Sequence, residues 1–263
     1  MYFLGIDIGS LSCDAVLIDE KKNILSSSVI PTGVKNIESI ARVKKNVLDA
    51  SKIMEKDIQS IISTGYGRSR VKERDGAVTE ITCHAKGIKH VIPETRILID
   101  IGGQDSKAIH LDQDGNVVDF AMNDKCAAGT GRFLEAMARA LEVDISELGD
   151  LDKGATSDLV LSSMCTVFAE SEVVSLIASG TEQKEIAKGL NRAIAARTSS
   201  LVKRVAKNTD GLSVSMSGGV ARNKGVVKAL AESMNLEKLN TPENPDIVGA
   251  LGAAIIALEK TMA

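Results

Sequence analysis

The chain has 263 residues, of which 25% are charged and 44% hydrophobic, and its net charge is −3. This composition is ordinary for a globular protein that can bury a sizeable core. The charge, together with two tyrosines, four phenylalanines and no tryptophan, argues against a nucleic-acid partner.

The sequence shows no apolar membrane-spanning run and no signal-peptide pattern, and its cysteines are scattered. These features indicate a cytoplasmic protein with no membrane partner. No apolar run approaches the roughly 20 residues that span a bilayer. The first ten residues contain Asp7 and no basic leader, so they read as a strand rather than a signal peptide. The four cysteines are widely scattered, which predicts free thiols in a reducing compartment.

The chain contains an internal repeat. Residues 4–26 and 97–119 align without a gap, and both begin an Asp-Ile-Gly turn at the end of an apolar run. The identical positions include Asp7 with Asp100, Gly9 with Gly102, Asp19 with Asp112, and Asn23 with Asn116. The repeat indicates a duplication, and the alternative is convergent strand–turn–strand chemistry.

Each copy predicts three antiparallel strands followed by helices and further strands. We expect an α/β fold of two duplicated lobes around a nucleotide cleft, with residues 1–95 plus 246–263 in one lobe and 96–245 in the other. The predicted helices lie near residues 36–53 and at Glu80–Val91, Gly131–Leu141, Val167–Ser179, Glu182–Lys207, Arg222–Met234 and Asp246–Lys260. Further strands are predicted at Gln59–Thr64, near Ser157–Ser162 and at Leu212–Met216.

The two glycine-containing turns are candidate phosphate sites, because glycine lets backbone N–H groups approach an anion closely. Asp7 and Asp100 would hold Mg²⁺, largely through water, and would orient an attacking water together with Gln104. The remaining candidate nucleotide contacts on these turns are Gly9, Ser10, Ser12, Gly102, Gly103, Asp105 and Lys107.

Two more small-residue segments follow. Gly218 and Gly219 lie between a strand and a helix, where a ring or sugar could rest on the backbone and the helix N-terminus favours phosphate. Val220 and Asn223 complete this candidate set. The small-residue helix at 248–254 is consistent either with a hinge between lobes or with a tightly packed core helix.

No Walker-type phosphate loop occurs in the sequence, which disfavours that class of nucleotide hydrolase. Two Asp-Ile-Gly hairpins in a gapless repeat, followed by a Gly-Gly strand-to-helix turn, instead resemble the superfamily of acetate kinase, sugar kinases, heat-shock proteins and actin. This resemblance implies actin-like, ribonuclease H-like lobes that bind ATP or ADP.

Cys126 and Cys165 each follow a predicted strand and precede a predicted helix. A helix N-terminus stabilises a thiolate and can donate hydrogen bonds to cluster sulfides. The alternative is that each cysteine is a small buried hydrophobe. Two cysteines cannot complete a four-thiolate cluster, but two copies of the chain related by a two-fold axis can.

The whole chain resembles the activators of 2-hydroxyacyl-CoA dehydratases, a family that includes the ATPase components of benzoyl-CoA reductase. The resemblance is carried by GIDIGS, TGYGR, the Cys83-His84 pair, DIGGQDSK, MNDKCAAGTGRF, CTVFAESEV, SGGVARN and GALGAA. It implies that one 4Fe–4S cluster bridges a homodimer through Cys126 and Cys165, while Cys13 and Cys83 are structural.

The same resemblance implies a function. Reduced flavodoxin or ferredoxin would supply an electron, and ATP hydrolysis would drive its transfer at low potential to an iron–sulfur dehydratase or reductase component. Two alternatives from other classes remain open, a small-molecule kinase of the same superfamily and a regulatory ATP-dependent interaction module. The three histidines, His84, His90 and His110, are interpreted as structural.

The first turn departs from the family pattern. This chain has Leu11, Ser12, Cys13 and Asp14 where activators usually carry a Thr/Ser-rich turn and a lysine. An acid therefore stands where a lysine is common, and we expect this turn to distinguish the protein from its relatives.

Overall fold

The computed structural model describes residues 1–161 and 165–262. Its strands are β1 (Tyr2–Ile8), β2 (Ser12–Asp19), β3 (Ile24–Pro31), β4 (Ile58–Thr64), β5 (Gly76–Ala77), β6 (Ile97–Ile101), β7 (Ser106–Leu111), β8 (Val117–Asn123) and β9 (Val214–Ser217). Its helices are α1 (Asn36–Ser51), α2 (Glu80–Val91), α3 (Gly131–Ala140), α4 (Thr166–Ala178), α5 (Gln183–Val202), α6 (Lys224–Ser233) and α7 (Val248–Met262).

The chain divides into two compact units, and each has its own sheet. The first unit comprises residues 1–96, 111–118 and 242–263, and the second comprises 97–110 and 119–241. In the described residues no helix is both long enough and apolar enough to cross a membrane.

The first sheet has the strand order β3-β2-β1-β4-β5. Strands β1, β2 and β3 form the predicted antiparallel meander, and β4 pairs with β1 in parallel. Alternate residues of β1 enter different hydrophobic cores, as expected for a strand buried on both faces. Leu4 and Ile6 face the core shared with α1, whereas Phe3 faces the core shared with α7.

Helix α7 is a core helix of the first unit. This favours the interpretation that its small residues allow tight core packing over the interpretation that they form a hinge. A Cβ atom at Gly252 would lie 1.7 Å from the carbonyl oxygen of Cys83 on α2. A Cβ at Gly5 on β1 would lie 1.9 Å from the carbonyl oxygen of Ala250. Glycine is therefore required where α7 approaches α2 and β1 with backbone in contact.

The second sheet has the strand order β8-β7-β6-β9 and repeats the pattern of the first. Strand β6 pairs with β7 in antiparallel and with β9 in parallel, as β1 does with β2 and β4. Residues from α3, α5, α6 and the sheet form one continuous hydrophobic core, with Phe133, Met137, Leu190 and Leu230 among its buried members.

The strand predicted near Ser157–Ser162 is wrong for residues 157–161, and Ser162 lies outside the described residues. At the start of this segment the backbone bonds to a side chain rather than to a sheet. The Glu185 carboxylate accepts from Thr156 N at 3.0 Å and from Ser157 N at 2.8 Å. Together with the Ser157 hydroxyl, whose hydrogen bond is the main cause, these donors lower the pKa of Glu185 to about 2.

Candidate functional site

The two Asp-Ile-Gly hairpins have the same local geometry. Gly9 N donates to Ser12 O at 2.9 Å in the first, and Gly102 N donates to Asp105 O at 3.0 Å in the second. Each bond closes a tight turn directly after the strand that carries the aspartate. The predicted residues of each hairpin are therefore brought together within its own unit, although Gln104 is exposed at the tip of the second turn.

The repeat extends to the next turn of each meander. Asn23 Nδ2 donates to Asp19 Oδ2 and Asn116 Nδ2 donates to Asp112 Oδ2, each at 2.9 Å. The asparagine side chain is the main cause of a lowered pKa for both aspartates. Recurrence of these side-chain contacts supports a duplication more directly than the sequence match alone.

A glycine with positive φ lies beside each site aspartate, although the two residues are remote in sequence. Gly65 (φ 88°) follows β4, and a Cβ there would lie 2.4 Å from Asp7 Oδ1. Gly218 (φ 83°) follows β9, and a Cβ there would lie 2.9 Å from Asp100 Oδ1. The motifs T-G-Y-G and S-G-G are thus equivalent positions of the duplicated fold.

In the first unit, Asp7 contacts residues from α2 and α7. His84 Nε2 lies 3.8 Å from Asp7 Oδ2, and both side chains are buried. A Cβ at Gly249, in the first turn of α7, would lie 2.1 Å from Asp7 Oδ2 and 2.8 Å from His84 Nε2. Gly249 and His84 therefore shape the space around this carboxylate, which sequence reasoning missed because their motifs are remote along the chain.

Charge distinguishes the two hairpins. Asp14 is the cross-strand partner of Asp7, whereas Lys107 is the cross-strand partner of Asp100. Asp14 is 4% exposed, and Ser12 Oγ donates to its Oδ2 at 3.0 Å. The first hairpin thus places two carboxylates side by side, in the position where the second places a carboxylate beside an ammonium group.

Lys107 is buried between two acids of the second hairpin. Its Nζ lies 3.1 Å from Asp100 Oδ2 and 2.6 Å from Asp105 Oδ2. Ser217 Oγ donates to the other Asp100 oxygen, Oδ1, at 2.8 Å. These charge-assisted contacts fix the orientation of the Asp100 carboxylate.

The third glycine segment leads into α6. Gly219 is exposed and begins a short 3₁₀ turn that includes the buried Val220. Asn223 is the N-cap of α6, where its Oδ1 accepts from Val226 N at 2.9 Å. The cap uses one lone pair of the amide oxygen of Asn223 and leaves its amide nitrogen available for another contact.

Cys126 lies in a loop between β8 and α3, and the expectation that it sits at a helix N-terminus is wrong. The N-cap of α3 is Thr130, four residues further along. The first amides of α3 donate to the second hairpin, with Gly131 N to Gly102 O at 2.9 Å and Arg132 N to Gly103 O at 2.9 Å. The helix N-terminus therefore holds the hairpin and not the thiol.

Cys165 is the N-cap residue of α4, as expected. Helix α4 buries Ala169 and Val173 but exposes large apolar side chains, with Val167 66% and Phe168 69% exposed. Cys126 and Cys165 are both half-buried residues of the second unit. Neighbouring large apolar side chains that remain exposed are typical of a binding surface.

Cys13 and Cys83 are buried thiols of the first unit. Burial is the main cause that raises the pKa of each to about 12, and the Asp7 carboxylate adds to both. Thiols of this kind stay protonated near neutral pH and are inert.

Comparison with known proteins agrees with this arrangement of two similar α/β units, each with an aspartate–glycine hairpin. Residues 4–257 match the BadF/BadG/BcrA/BcrD ATPase family. The chain is 45% identical over 259 residues to the activator of lactoyl-CoA dehydratase from Anaerotignum propionicum, covering 98% of both chains. It is 43% identical over 260 residues to the 2-hydroxyisocaproyl-CoA dehydratase activator from Clostridioides difficile, covering 99% of this chain and 96% of the relative.

Solved structures give the same result. The activator of the 2-hydroxyisocaproyl-CoA dehydratase from Clostridium difficile with bound ADPNP superposes with a TM-score of 0.93 at 42% identity, covering 100% of this chain and 96% of that one. A ROK family glucokinase from Streptomyces griseus shares the fold alone, with a TM-score of 0.60 at 15% identity over 98% of this chain and 100% of that one. The chain therefore belongs to the BadF/BadG/BcrA/BcrD ATPase family, and the expected resemblance and actin-like fold are confirmed.

Proposed function

We propose that this protein is an ATP-dependent one-electron donor that activates a 2-hydroxyacyl-CoA dehydratase or a related iron–sulfur reductase component. The observation that carries the proposal is the direct hydrogen bonding between the phosphate-type second hairpin and the first residues of α3, the helix that follows the Cys126 loop, in a chain whose full-length relatives are named dehydratase activators. We further propose that it works in the cytoplasm, with lobes formed by residues 1–95 plus 246–263 and by 96–245.

We assign ATP binding and hydrolysis to the two hairpins. The backbone N–H groups of Ser10 and Gly103 would contact the phosphates, and Gly9 and Gly102, whose own N–H groups close the turns, would let this backbone approach closely. The hydroxyl of Ser12 would contact a phosphate once it releases Asp14, and the segment Gly218–Asn223 would contact the base or sugar. A solved relative with bound ADPNP supports a nucleotide in this family. Lys107 neutralises Asp100 and Asp105 rather than reaching outward, so its contribution is to orient the site.

The acidic groups fit a magnesium ion that accompanies the nucleotide. Mg²⁺ prefers carboxylate and water oxygens, and Asp7 and Asp14 present carboxylates from neighbouring positions of β1 and β2. Asp7 and Asp100 would bind the ion largely through water, and Gln104 would help to place the attacking water.

The thiols fit a shared cluster better than a complete site in one chain. Within residues 1–161 and 165–262, no group of three or more His, Cys, Asp or Glu residues is placed to hold a metal ion. Cys126 and Cys165 together supply two thiolates, so a second copy is needed for the four that a 4Fe–4S cluster requires. Such a cluster would supply one-electron chemistry.

The exposed apolar side chains of α4 support a homodimer in which Cys165 lies near the two-fold axis. Burying Val167 and Phe168 against a second copy would remove an apolar surface from water beside a cluster ligand. Reduced flavodoxin or ferredoxin would load the cluster, and the iron–sulfur partner would receive the electron. Hydrolysis can drive this transfer only if ATP and ADP bind the donating and resting conformations differently.

Anaerobic purification tests the proposal. We expect a brown dimer with about four iron atoms per two chains, which hydrolyses ATP and transfers electrons from dithionite-reduced flavodoxin to the isolated dehydratase component. A Cys126→Ser variant should lose iron but retain ATP binding. The proposal is wrong if anaerobically prepared protein binds ATP yet contains no iron before and after reconstitution.

The kinase alternative predicts a different result in the same preparation. Iron-free protein would transfer the γ-phosphoryl group of ATP to a sugar or small acid, and Cys126→Ser would leave that transfer unchanged. An ATP-dependent interaction module would show neither iron nor phosphoryl transfer.

A further inference from the structure

The side chain of Thr130 connects the loop that carries Cys126 to the second hairpin, and it has no role in the proposed function above. Thr130 is fully buried, and its Oγ1 lies 3.0 Å from Gly103 O and 2.6 Å from Ala127 O. Ala127 directly follows Cys126, and Asn123 Nδ2 donates to Cys126 O at 3.0 Å. The Thr130 hydroxyl therefore lies within hydrogen-bonding distance of a candidate phosphate turn and of the residue next to a candidate cluster ligand.

The hydroxyl of Thr130 has one proton and two carbonyl acceptors within reach. It can donate fully to only one of them at a time. A shift of the Gly103 carbonyl therefore changes how strongly Thr130 holds the carbonyl of Ala127. The Thr130 amide also donates to Ala127 O at 3.0 Å, which keeps that carbonyl within range.

The hairpin backbone connects this hydroxyl rigidly to the phosphate side of the turn. In a planar trans peptide the C=O and N–H groups point in opposite directions. The carbonyls of Gly102 and Gly103 face the start of α3, where Gly131 N and Arg132 N donate to them. The N–H groups of the same two peptide units, which belong to Gly103 and Gln104, consequently face away from α3. In the proposed nucleotide site they would face the phosphate.

We propose that Thr130 is the positioning residue that couples nucleotide binding at the second hairpin to the conformation of the Cys126 loop. The inference rests on the proposed nucleotide site. When phosphate binds the hairpin N–H groups, the peptide planes rotate, the Gly103 carbonyl moves, and Thr130 changes its hold on Ala127. The thiol of Cys126 thereby acquires an environment that depends on the nucleotide.

A matched pair of variants tests the hydroxyl itself. Thr130→Val keeps the shape of the side chain and removes the donor, whereas Thr130→Ser keeps the donor. Both are made in the full chain with Cys165→Ser, prepared without iron, so that Cys126 is the one half-buried thiol among the cysteines. The alkylation rate of Cys126 is then measured by mass spectrometry with and without Mg²⁺ and ADPNP, while the buried Cys13 serves as an internal reference.

We expect nucleotide to change the alkylation rate of Cys126 by about tenfold in the Cys165→Ser parent chain and in the same chain with Thr130→Ser. In Thr130→Val the change should fall below about twofold, while calorimetry still detects ADPNP binding. Hydrogen exchange at Gly131 and Arg132 gives a second readout in the unsubstituted chain, where nucleotide should alter exchange of both amides. Thermal unfolding of each variant, with Thr130→Ala as a second hydroxyl-free chain, shows that the comparison is between folded proteins.

The outcomes separate this inference from the proposed function. An unchanged nucleotide response in Thr130→Val and Thr130→Ala overturns the role of the hydroxyl. A parent chain that binds ADPNP but shows no change at Cys126 overturns the coupling and leaves the nucleotide site intact. A parent chain that does not bind ADPNP overturns the nucleotide site and the coupling together.

Discussion

Asp14 and Lys107 occupy the same position of the duplicated hairpin, yet they carry opposite charge. Asp14 lies directly across from Asp7, and Lys107 lies directly across from Asp100. Like charges on opposing strands destabilise a sheet, and opposite charges stabilise it. The residue across from the site aspartate is therefore a second carboxylate in the first hairpin and an ammonium group in the second.

Replacing Asp14 by Asn should reduce this electrostatic conflict. Without metal, we expect the free energy of unfolding to rise by about 0.5–1 kcal/mol, because one of two adjacent carboxylates becomes neutral. The stabilising effect of Mg²⁺ on the native protein should shrink in the variant, and metal-free ADPNP should bind more tightly. Denaturant titrations and calorimetry, each with Mg²⁺ and with EDTA, measure these effects.

Asp49→Asn is the matched control for Asp14→Asn, since it removes one charge from an exposed position on α1. It should leave both the stability and the metal dependence within experimental error of the parent chain. Equal metal dependence in Asp14→Asn and the parent would show that Asp14 does not act on the site.

Gly249→Ala should weaken the Asp7 site. Alanine in a helix normally stabilises it relative to glycine by up to about 1 kcal/mol. Here the added Cβ would lie 2.1 Å from Asp7 Oδ2, so Asp7 or α7 must shift. We expect lower ATPase activity and a lower melting temperature. A gain in stability with unchanged ATPase activity would contradict the close contact.

Cys13 and Cys83 should be unreactive in the native protein. In iron-free chain near neutral pH we expect a thiol reagent to modify Cys126 and Cys165 only, and all four cysteines in denaturant. Fast native labelling of Cys13 or Cys83, followed by peptide mapping, would contradict their burial.

The same two thiols predict how stability depends on alkaline pH. Their folded-state pKa is raised from 9.0 to about 12, so the unfolded chain loses these protons first. The stability they contribute is complete below about pH 9 and decreases as the pH rises from 9 toward 12. Cys83→Ala should flatten this decline in urea melts recorded across that range, compared with the parent chain. An equally steep decline in the variant would contradict the raised pKa.

Phe168→Asp should break the proposed dimer and leave the fold intact. Because Phe168 is 69% exposed, the substitution should change the stability of a single chain by less than about 0.5 kcal/mol. Val160→Asp is the control, since Val160 is 79% exposed but lies outside α4. Sedimentation analysis of reconstituted protein should show monomers and lost iron for Phe168→Asp and dimers for Val160→Asp. A Phe168→Asp dimer with full iron content would place the interface elsewhere.

Much of this architecture could be predicted from short-range sequence patterns. The repeat, the Asp-Gly turns and the extent of α2 follow from short-range patterns, because hairpins and helices depend on residues close in sequence. The failed strand at residues 157–161 shows the limit of that approach. An apolar run needs a neighbouring strand to pair with, and here the backbone at the start of the segment, at Thr156 and Ser157, instead bonds to Glu185 on α5.

The sequence by itself determined the duplicated hairpins, the family motifs and the identity of the candidate ligands, since these depend on residue type and spacing. Tertiary structure alone decided that Gly249 and His84 close in on Asp7, and that Thr130 joins the Cys126 loop to Gly103. It also showed that Cys126 lies four residues before the N-cap of α3 and that the first amides of this helix donate to the hairpin carbonyls. Contacts between residues remote in sequence are set by how helices pack on sheets, and no local pattern encodes those distances.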